Sequence, residues 1–176
     1  MKFTPARLAG VWIVDLELRE DARGFFARTW CEQEFAAHGL NTRWPQGNLT
    51  RTLRRGMLRG LHWQAEPRPE VKLVRCSAGA IWDVVVDVRR NSPTFGGWEA
   101  FELTADNQRQ VYIPAGFAHG FQCLHDNSEV SYLMGESYVP ELARGLRWDD
   151  PRVGIPWPIP NPEMSDRDRS LPGLGC

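Results

Sequence analysis

Short apolar and β-branched stretches recur along the chain, separated roughly every 8–12 residues by glycine, proline or Asp-Asn turn signals. The segment 81–88, IWDVVVDV, is almost wholly apolar, which predicts a buried strand. Segment 31–38 reads as a short helix that Gly39 ends. Further strands are predicted at 11–18, 25–30, 48–51, 57–64, 71–76, 98–103, 111–114, 117–124 and 129–134. This pattern is typical of an antiparallel sandwich or barrel.

The segment 59–72, RGLHWQAEPRPEVK, concentrates polar side chains that could carry chemistry. Apolar and polar residues interleave in its first half, and side chains alternate across a strand, so His62 and Gln64 should face the same side. The prolines at 67 and 69 predict a turn, after which a second strand returns as the other half of a hairpin. That hairpin would bring Lys72 close to His62.

Composition narrows the class of protein. A chain of 176 residues with net charge −1 predicts a single domain, residues 1–176, and no general attraction to nucleic acid or membrane. The N-terminus lacks the apolar run of a signal peptide, and no apolar segment reaches membrane-spanning length. Four cysteines without CxxC spacing favour reduced thiols, so we expect a cytoplasmic protein. Its cations are almost all arginine, which suits phosphate binding.

Seven motifs in order resemble one enzyme family. They are RGLHWQ, KLVRCSAGAIWDVVVDVR, SPTFG, YIPAGFAHGFQCL, the Tyr132 and Tyr138 pair, WDDP and the late SDRD. Together they resemble the dTDP-4-dehydrorhamnose 3,5-epimerases over nearly the whole chain. The resemblance implies an all-β, cupin-type jelly-roll barrel with a few short helices, a homodimer, no metal and no cofactor. It also implies epimerisation of a nucleotide-linked 4-keto-6-deoxyhexose.

Epimerisation beside a ketone requires a base on one face of the sugar, an acid on the other and a positive group near the developing enolate. An imidazole suits the base near neutral pH, and His62 is the candidate. The resemblance implies that Tyr132 is the acid, Lys72 the cation and Asp168 the carboxylate that orients His62. Asp83 is a second candidate for that orienting carboxylate, because parity places it on the inward face of its strand.

The resemblance also implies the residues that bind the rest of the substrate. Arg23 and Arg59 match phosphate contacts, Gln46 and Asn48 a nucleoside-binding element, Tyr138 an aromatic that stacks on the base, His119 a substrate contact and Arg167 a retained positive charge. One departure concerns Arg28, which stands where better-known members carry a glutamate near the thymine. This exchange of an acceptor for a donor leaves the nucleotide and the sugar open.

Three alternatives compete with this hypothesis. A metal-dependent cupin dioxygenase or isomerase needs His-x-His, a carboxylate and a further histidine, whereas this chain offers His62, Gln64, Lys72 and His119 at those places. An enzyme on the same scaffold could invert one centre only or act as a ketoisomerase. A non-catalytic nucleotide-sugar-binding module would be expected to lose His62 or Tyr132, and both are present.

Overall fold

Two antiparallel sheets make up most of the protein, and a computed structural model describes them within residues 1–175. The strands are β1 Lys2–Pro5, β2 Trp12–Asp15, β3 Arg19–Asp21, β4 Gly24–Phe26, β5 Gln46–Thr52, β6 Leu58–Gln64, β7 Lys72–Ala78, β8 Ala80–Asp87, β9 Trp98–Thr104, β10 Arg109–Ile113, β11 Phe117–Cys123, β12 Ser128–Met134 and β13 Ala143–Gly145. The helices are α1 Glu32–Ala37, α2 Asp166–Arg169 and a 3₁₀ turn Pro140–Leu142.

The six-stranded sheet has the order β1-β2-β10-β7-β12-β5, and the five-stranded sheet has the order β13-β6-β11-β8-β9. Strands β3 and β4 form a separate two-stranded hairpin near the N-terminus. The inner faces of the two large sheets share one buried cluster. It includes Val74, Val111 and Val130 from the first sheet and Ile81, Val85, Leu103 and Phe121 from the second. The predicted antiparallel all-β architecture is confirmed.

The outer face of the five-stranded sheet is covered by the last part of the chain. Leu61 and Val84 on that face pack with Leu146, Val153 and Leu174. This packing explains why a proline-rich tail without regular structure holds a fixed course. The tail contributes β13 and α2, neither of which the hydrophobic pattern predicted, since both are shorter than a detectable period.

The predicted hairpin between the strands around His62 and Lys72 is wrong. Strand β6 lies in the five-stranded sheet and β7 in the six-stranded sheet, so the link between them, 65–71, crosses from one sheet to the other. The expected proximity holds nonetheless, because the crossing returns Lys72 to the interior beside the His62 backbone, with Nζ 3.1 Å from the carbonyl oxygen.

A close approach of backbones fixes the centre of β6. Gly60 has a φ of +115°, and a Cβ there would lie 2.6 Å from the Gly120 Cα on β11. A side chain at either position would push the strands apart. The two glycines therefore keep the strands together next to the pair His62 and His119, which lie opposite each other in the register.

Two of the cysteines, Cys76 and Cys123, are buried as small apolar residues, and burial raises the pKa of the Cys76 thiol to about 11. Cys31 is half-buried at the start of α1, and Cys176 lies outside the described residues. Within the described part of the chain, no helix has both the length and the apolar character to cross a bilayer.

Candidate active site

A cavity of about 290 Å³ lies between the two large sheets. Strands β6 and β11 supply one wall, β5, β7 and β12 the facing wall, and the segment that begins α2 closes one side. Its lining residues are Thr50, Arg59, His62, Lys72, His119, Gly120, Phe121, Tyr132, Ser165, Arg167 and Asp168. Polar side chains from distant parts of the sequence thus converge in a space between apolar layers, which is typical of a ligand site.

His62 is paired with a buried carboxylate. Its Nε2 lies 2.6 Å from Oδ1 of Asp168, whose side chain is 7% exposed. The other carboxylate oxygen accepts the Gly60 N–H at 3.2 Å. An ionised carboxylate can only accept, so Nε2 carries the proton and Nδ1 keeps the lone pair. The pair therefore selects the tautomer in which Nδ1 is the basic nitrogen of His62.

The short helix α2 holds Asp168 in place. Ser165 caps the helix, and its Oγ accepts the Asp168 N–H at 3.1 Å. Burial would raise the pKa of Asp168, but the hydrogen bond and charge of His62, the Gly60 N–H and the charge of Arg167 outweigh it, so the pKa lies below its usual value. Asp168 is consequently a permanent anion beside His62 at neutral pH.

Tyr132 and Lys72 reach the same cavity from the opposite sheet. Tyr132 lies on β12, between Asn48 of β5 and Val74 of β7 in the register. Lys72 opens β7, is nearly buried, and its Nζ lies 2.7 Å from Oε1 of Glu70. A ligand between the sheets would therefore have an imidazole on one side and a phenol and an ammonium on the other.

The second histidine in the cavity, His119, has a carboxylate partner of its own. Its Nε2 lies 2.7 Å from Oδ1 of Asp83, which is fully buried. Asp83 is therefore not the partner of His62, and the structure corrects that alternative in favour of Asp168. The remaining carboxylate oxygen of Asp83 has no hydrogen-bond partner among the described residues. The hydrogen bond with His119 is therefore the main interaction that offsets the cost of burying this carboxylate.

Several residues expected to bind the nucleotide extend from the mouth of this cavity. Gln46 and Asn48 are on the same face of β5 as the cavity residue Thr50, because alternate residues of a strand share a face. The Gln46 amide donates to Asn48 at 3.1 Å, and the Tyr138 N–H donates to Gln46 at 3.1 Å. Tyr138 is half-exposed. Gln46, Asn48 and Tyr138, the last joined through its backbone, thus form a strip that continues from Thr50.

The arginines predicted from the sequence separate into two groups. Arg59 and Arg167 line the cavity, and Arg59 is fixed by a 2.9 Å hydrogen bond to Thr52. Arg23 and Arg28 lie outside it, on and after the N-terminal hairpin, where Arg23 pairs with Asp21. Within one chain the structure does not bring these two arginines to the cavity.

The residues at the ligand positions of a metal cupin do not fit a metal. Gln64 uses its amide for backbone contacts, donating to the Arg68 carbonyl at 2.6 Å and accepting the Val139 N–H at 2.8 Å. Lys72 is a cation in the cavity. Among residues 1–175 no group of three or more His, Cys, Asp or Glu side chains is arranged to hold a metal ion.

Sequence reasoning missed two contributors to the site. Glu70 touches Lys72, and Ser165 holds the helix that carries Asp168. The spacing of Glu70 and Lys72 offered a signal, because residues two apart in an extended chain face the same side. The run 165–170 offered none for the burial of Asp168, since alternating charges usually indicate a solvated surface.

The family model described as dTDP-4-dehydrorhamnose 3,5-epimerase matches residues 5–175. A protein of that name from Methanothermobacter thermautotrophicus is 43% identical over 172 residues, covering 96% of this chain and 92% of the relative. The crystal structure of the Bacillus anthracis enzyme of that name, with TDP and PPi bound, has a TM-score of 0.96 at 38% identity and covers 98% and 99% of the two chains. ChmJ, a 3'-monoepimerase from Streptomyces bikiniensis in complex with dTDP-quinovose, has a TM-score of 0.91 at 35% identity, covering 97% and 86%. The cupin-type fold is thereby confirmed, and the chain belongs to the dTDP-4-dehydrorhamnose 3,5-epimerase family.

Proposed function

We propose that the protein epimerises a nucleotide-linked 4-keto-6-deoxyhexose, with dTDP-4-dehydro-6-deoxyglucose as substrate and dTDP-4-dehydrorhamnose as product. The observation that carries this proposal is the convergence of His62 and Tyr132 on one cavity from opposite sheets. Relatives of nearly full length that bear the name of this activity support the choice of substrate.

The proposed reaction moves one proton off the sugar and another on. Nδ1 of His62 takes the hydrogen from the carbon beside the ketone, and the electron pair of that C–H bond moves into the carbonyl to form an enolate. Asp168 stabilises the imidazolium, and Lys72 stabilises the enolate oxygen. The Tyr132 hydroxyl then protonates the carbon from the opposite face, which inverts it. Positioned proton transfer of this kind typically contributes about 10²–10⁴-fold.

The remaining residues are proposed to hold the nucleotide. Arg59 and Arg167 supply positive charge for the pyrophosphate, His119 contacts the sugar, and Gln46 and Asn48 contact the nucleoside. Tyr138 stacks on the base. All six lie in the cavity or in the strip that continues from it. No cofactor is required, because the ketone of the substrate itself makes the neighbouring hydrogens acidic.

A homodimer would place Arg23 and Arg28 of one copy near the nucleotide bound to the other. Hairpin residues Phe25 and Phe26 are 53% and 66% exposed, and Leu49 on the edge strand β5 is 66% exposed. Apolar side chains this exposed at a sheet edge indicate a covered surface. We propose that the N-terminal strands pair across a two-fold axis, so that the hairpin of one copy reaches the partner's nucleotide strip. Light scattering should give twice the chain mass, and Leu49→Glu should give monomers.

The cytoplasmic location and the single-domain organisation over residues 1–176 belong to the same proposal. A nucleotide-sugar substrate is consistent with both, and the motifs of the family run through the chain in order.

The proposal is tested by proton NMR with dTDP-4-keto-6-deoxyglucose in deuterated water. The parent protein should remove the C3 and C5 proton signals, and His62→Ala should abolish that loss. His125→Ala is the control, since His125 is an exposed turn residue. Retained exchange in His62→Ala would remove His62 from the mechanism.

The same spectra decide a second candidate, inversion of one centre only. This candidate is favoured by the structural similarity to a protein described as a 3'-monoepimerase. Loss of the C3 signal with a product inverted only at C3 would select it, and loss of both signals with a product inverted at C3 and C5 would select the 3,5-epimerase.

A further inference from the structure

The only lysine in the cavity has a carboxylate partner to which the proposed reaction gives no part. Lys72 Nζ lies 2.7 Å from Oε1 of Glu70, and both side chains are 8% exposed. The chain contains one other lysine, Lys2, which lies on an exposed edge position. The proposed reaction needs the positive charge of Lys72, and the carboxylate of Glu70 offsets part of that charge. The need for a cation therefore does not explain why Glu70 is buried beside it.

The geometry points to a positioning function. An ammonium has three N–H groups: the His62 carbonyl accepts one of them at 3.1 Å, and Glu70 forms an ion pair with the same amine. These two contacts fix a flexible side chain and leave a donor for a ligand, and Lys72 lines the cavity with His62 and Tyr132. That donor is therefore held ready for an oxygen of the ligand.

We propose that Glu70 is a positioning residue: its carboxylate holds the Lys72 side chain so that one N–H of the amine points at the developing enolate oxygen. This inference rests on the proposed function for the identity of that oxygen.

Two variants separate the charge of Glu70 from the reach of its side chain. Glu70→Gln keeps the length of the side chain and an acceptor oxygen but removes the charge. Glu70→Asp keeps the charge but withdraws the carboxylate by one methylene group. Glu129→Gln is the matched control, since Glu129 forms an ion pair with Arg51 at 2.5 Å on the outside of the protein.

The first arm is Glu70→Gln, followed by exchange of the substrate hydrogens in deuterated water. An amide cannot form the ion pair that holds the ammonium, so we expect kcat to fall about tenfold or more relative to Glu129→Gln, with KM within about twofold. A kcat for Glu70→Gln equal to that of Glu129→Gln would overturn the inference.

Glu70→Asp provides the second arm and does not leave Lys72 as an unpaired buried cation. We expect its kcat for deuterium exchange to fall about tenfold or more, with KM within about twofold, because a misplacement of ~1 Å suffices for such a loss. A kcat equal to that of Glu129→Gln would overturn the positioning argument. A parent protein that exchanges no substrate hydrogens would instead refute the proposed function.

Discussion

Replacing Asp168 by asparagine separates the charge of the His62 partner from its shape. In the parent, the carboxylate accepts from His62 Nε2 at 2.6 Å and from the Gly60 N–H at 3.2 Å. An amide of the same size can still accept from Gly60, but it cannot stabilise an imidazolium. If its NH₂ group faces Nε2, the ring proton moves to Nδ1, and the base loses its lone pair.

Both consequences slow the first proton transfer. Loss of the orienting carboxylate should lower kcat by about 10²–10⁴-fold. This range corresponds to about 3–5 kcal/mol in the activation barrier. The pKa of Asp168 is held below its usual value, so its contribution to stability is present above about pH 4 and declines as the pH falls below that value. The variant should therefore be less stable at pH 7 but less sensitive to acid.

The assay is single-turnover exchange of substrate hydrogens in deuterated water, with thermal unfolding followed in parallel from pH 7 down to pH 3. Asp166→Asn is the control, because Asp166 lies on the same helix but is exposed. A single-turnover exchange rate in Asp168→Asn within about threefold of the control would refute the idea that Asp168 orients the base. So would an unchanged dependence of stability on pH.

Of three further predictions, two concern the stability of the fold and one concerns whether the activity needs a metal. Burial opposes the ionisation of Asp87, but its hydrogen bonds from Arg89, Ser92 and Thr94 lower its pKa to about 2. Asp87→Asn should therefore lower the free energy of unfolding by about 2 kcal/mol at pH 7, measured by urea unfolding. This difference from the parent protein should shrink as the pH falls from about 4 to 2. Gly120→Ala should cost about 1–3 kcal/mol in the same assay, because its Cβ would lie 2.7 Å from the backbone oxygen of residue 59; a cost no larger than that of a surface substitution would contradict the close approach. Exhaustive dialysis against EDTA should leave the exchange rate unchanged, and loss of activity that added zinc or iron restores would reinstate the metal-dependent alternative.

The strands were predictable because burial imposes a readable pattern on them. Strand β8 lies between β11 and β9 in the five-stranded sheet, and its apolar, β-branched run is what two covered faces require. The error at the link between β6 and β7 has a physical cause. A proline-rich turn between two strands looks the same in sequence whether the strands pair or enter opposite sheets, since only the partner strands differ.

The site residues that belong to sequence motifs were predictable. Those whose positions depend on contacts between distant parts of the chain were not. His62, Lys72 and Tyr132 lie together as expected. The choice between Asp83 and Asp168 could not be made from parity, because it depends on the course of a tail without periodicity. The positions of Arg23 and Arg28 outside the cavity likewise depend on a hairpin whose exposed phenylalanines belong, in our proposal, to a dimer contact.

The central claim is that an imidazole and a phenol act on one sugar ring from opposite sides. Proton NMR of Tyr132→Phe with the keto sugar in deuterated water tests it most directly. The account predicts that C3 still exchanges its hydrogen at a rate set by His62, while the product retains the starting configuration because no acid remains on the far face. Inversion at the rate of the parent protein would contradict it.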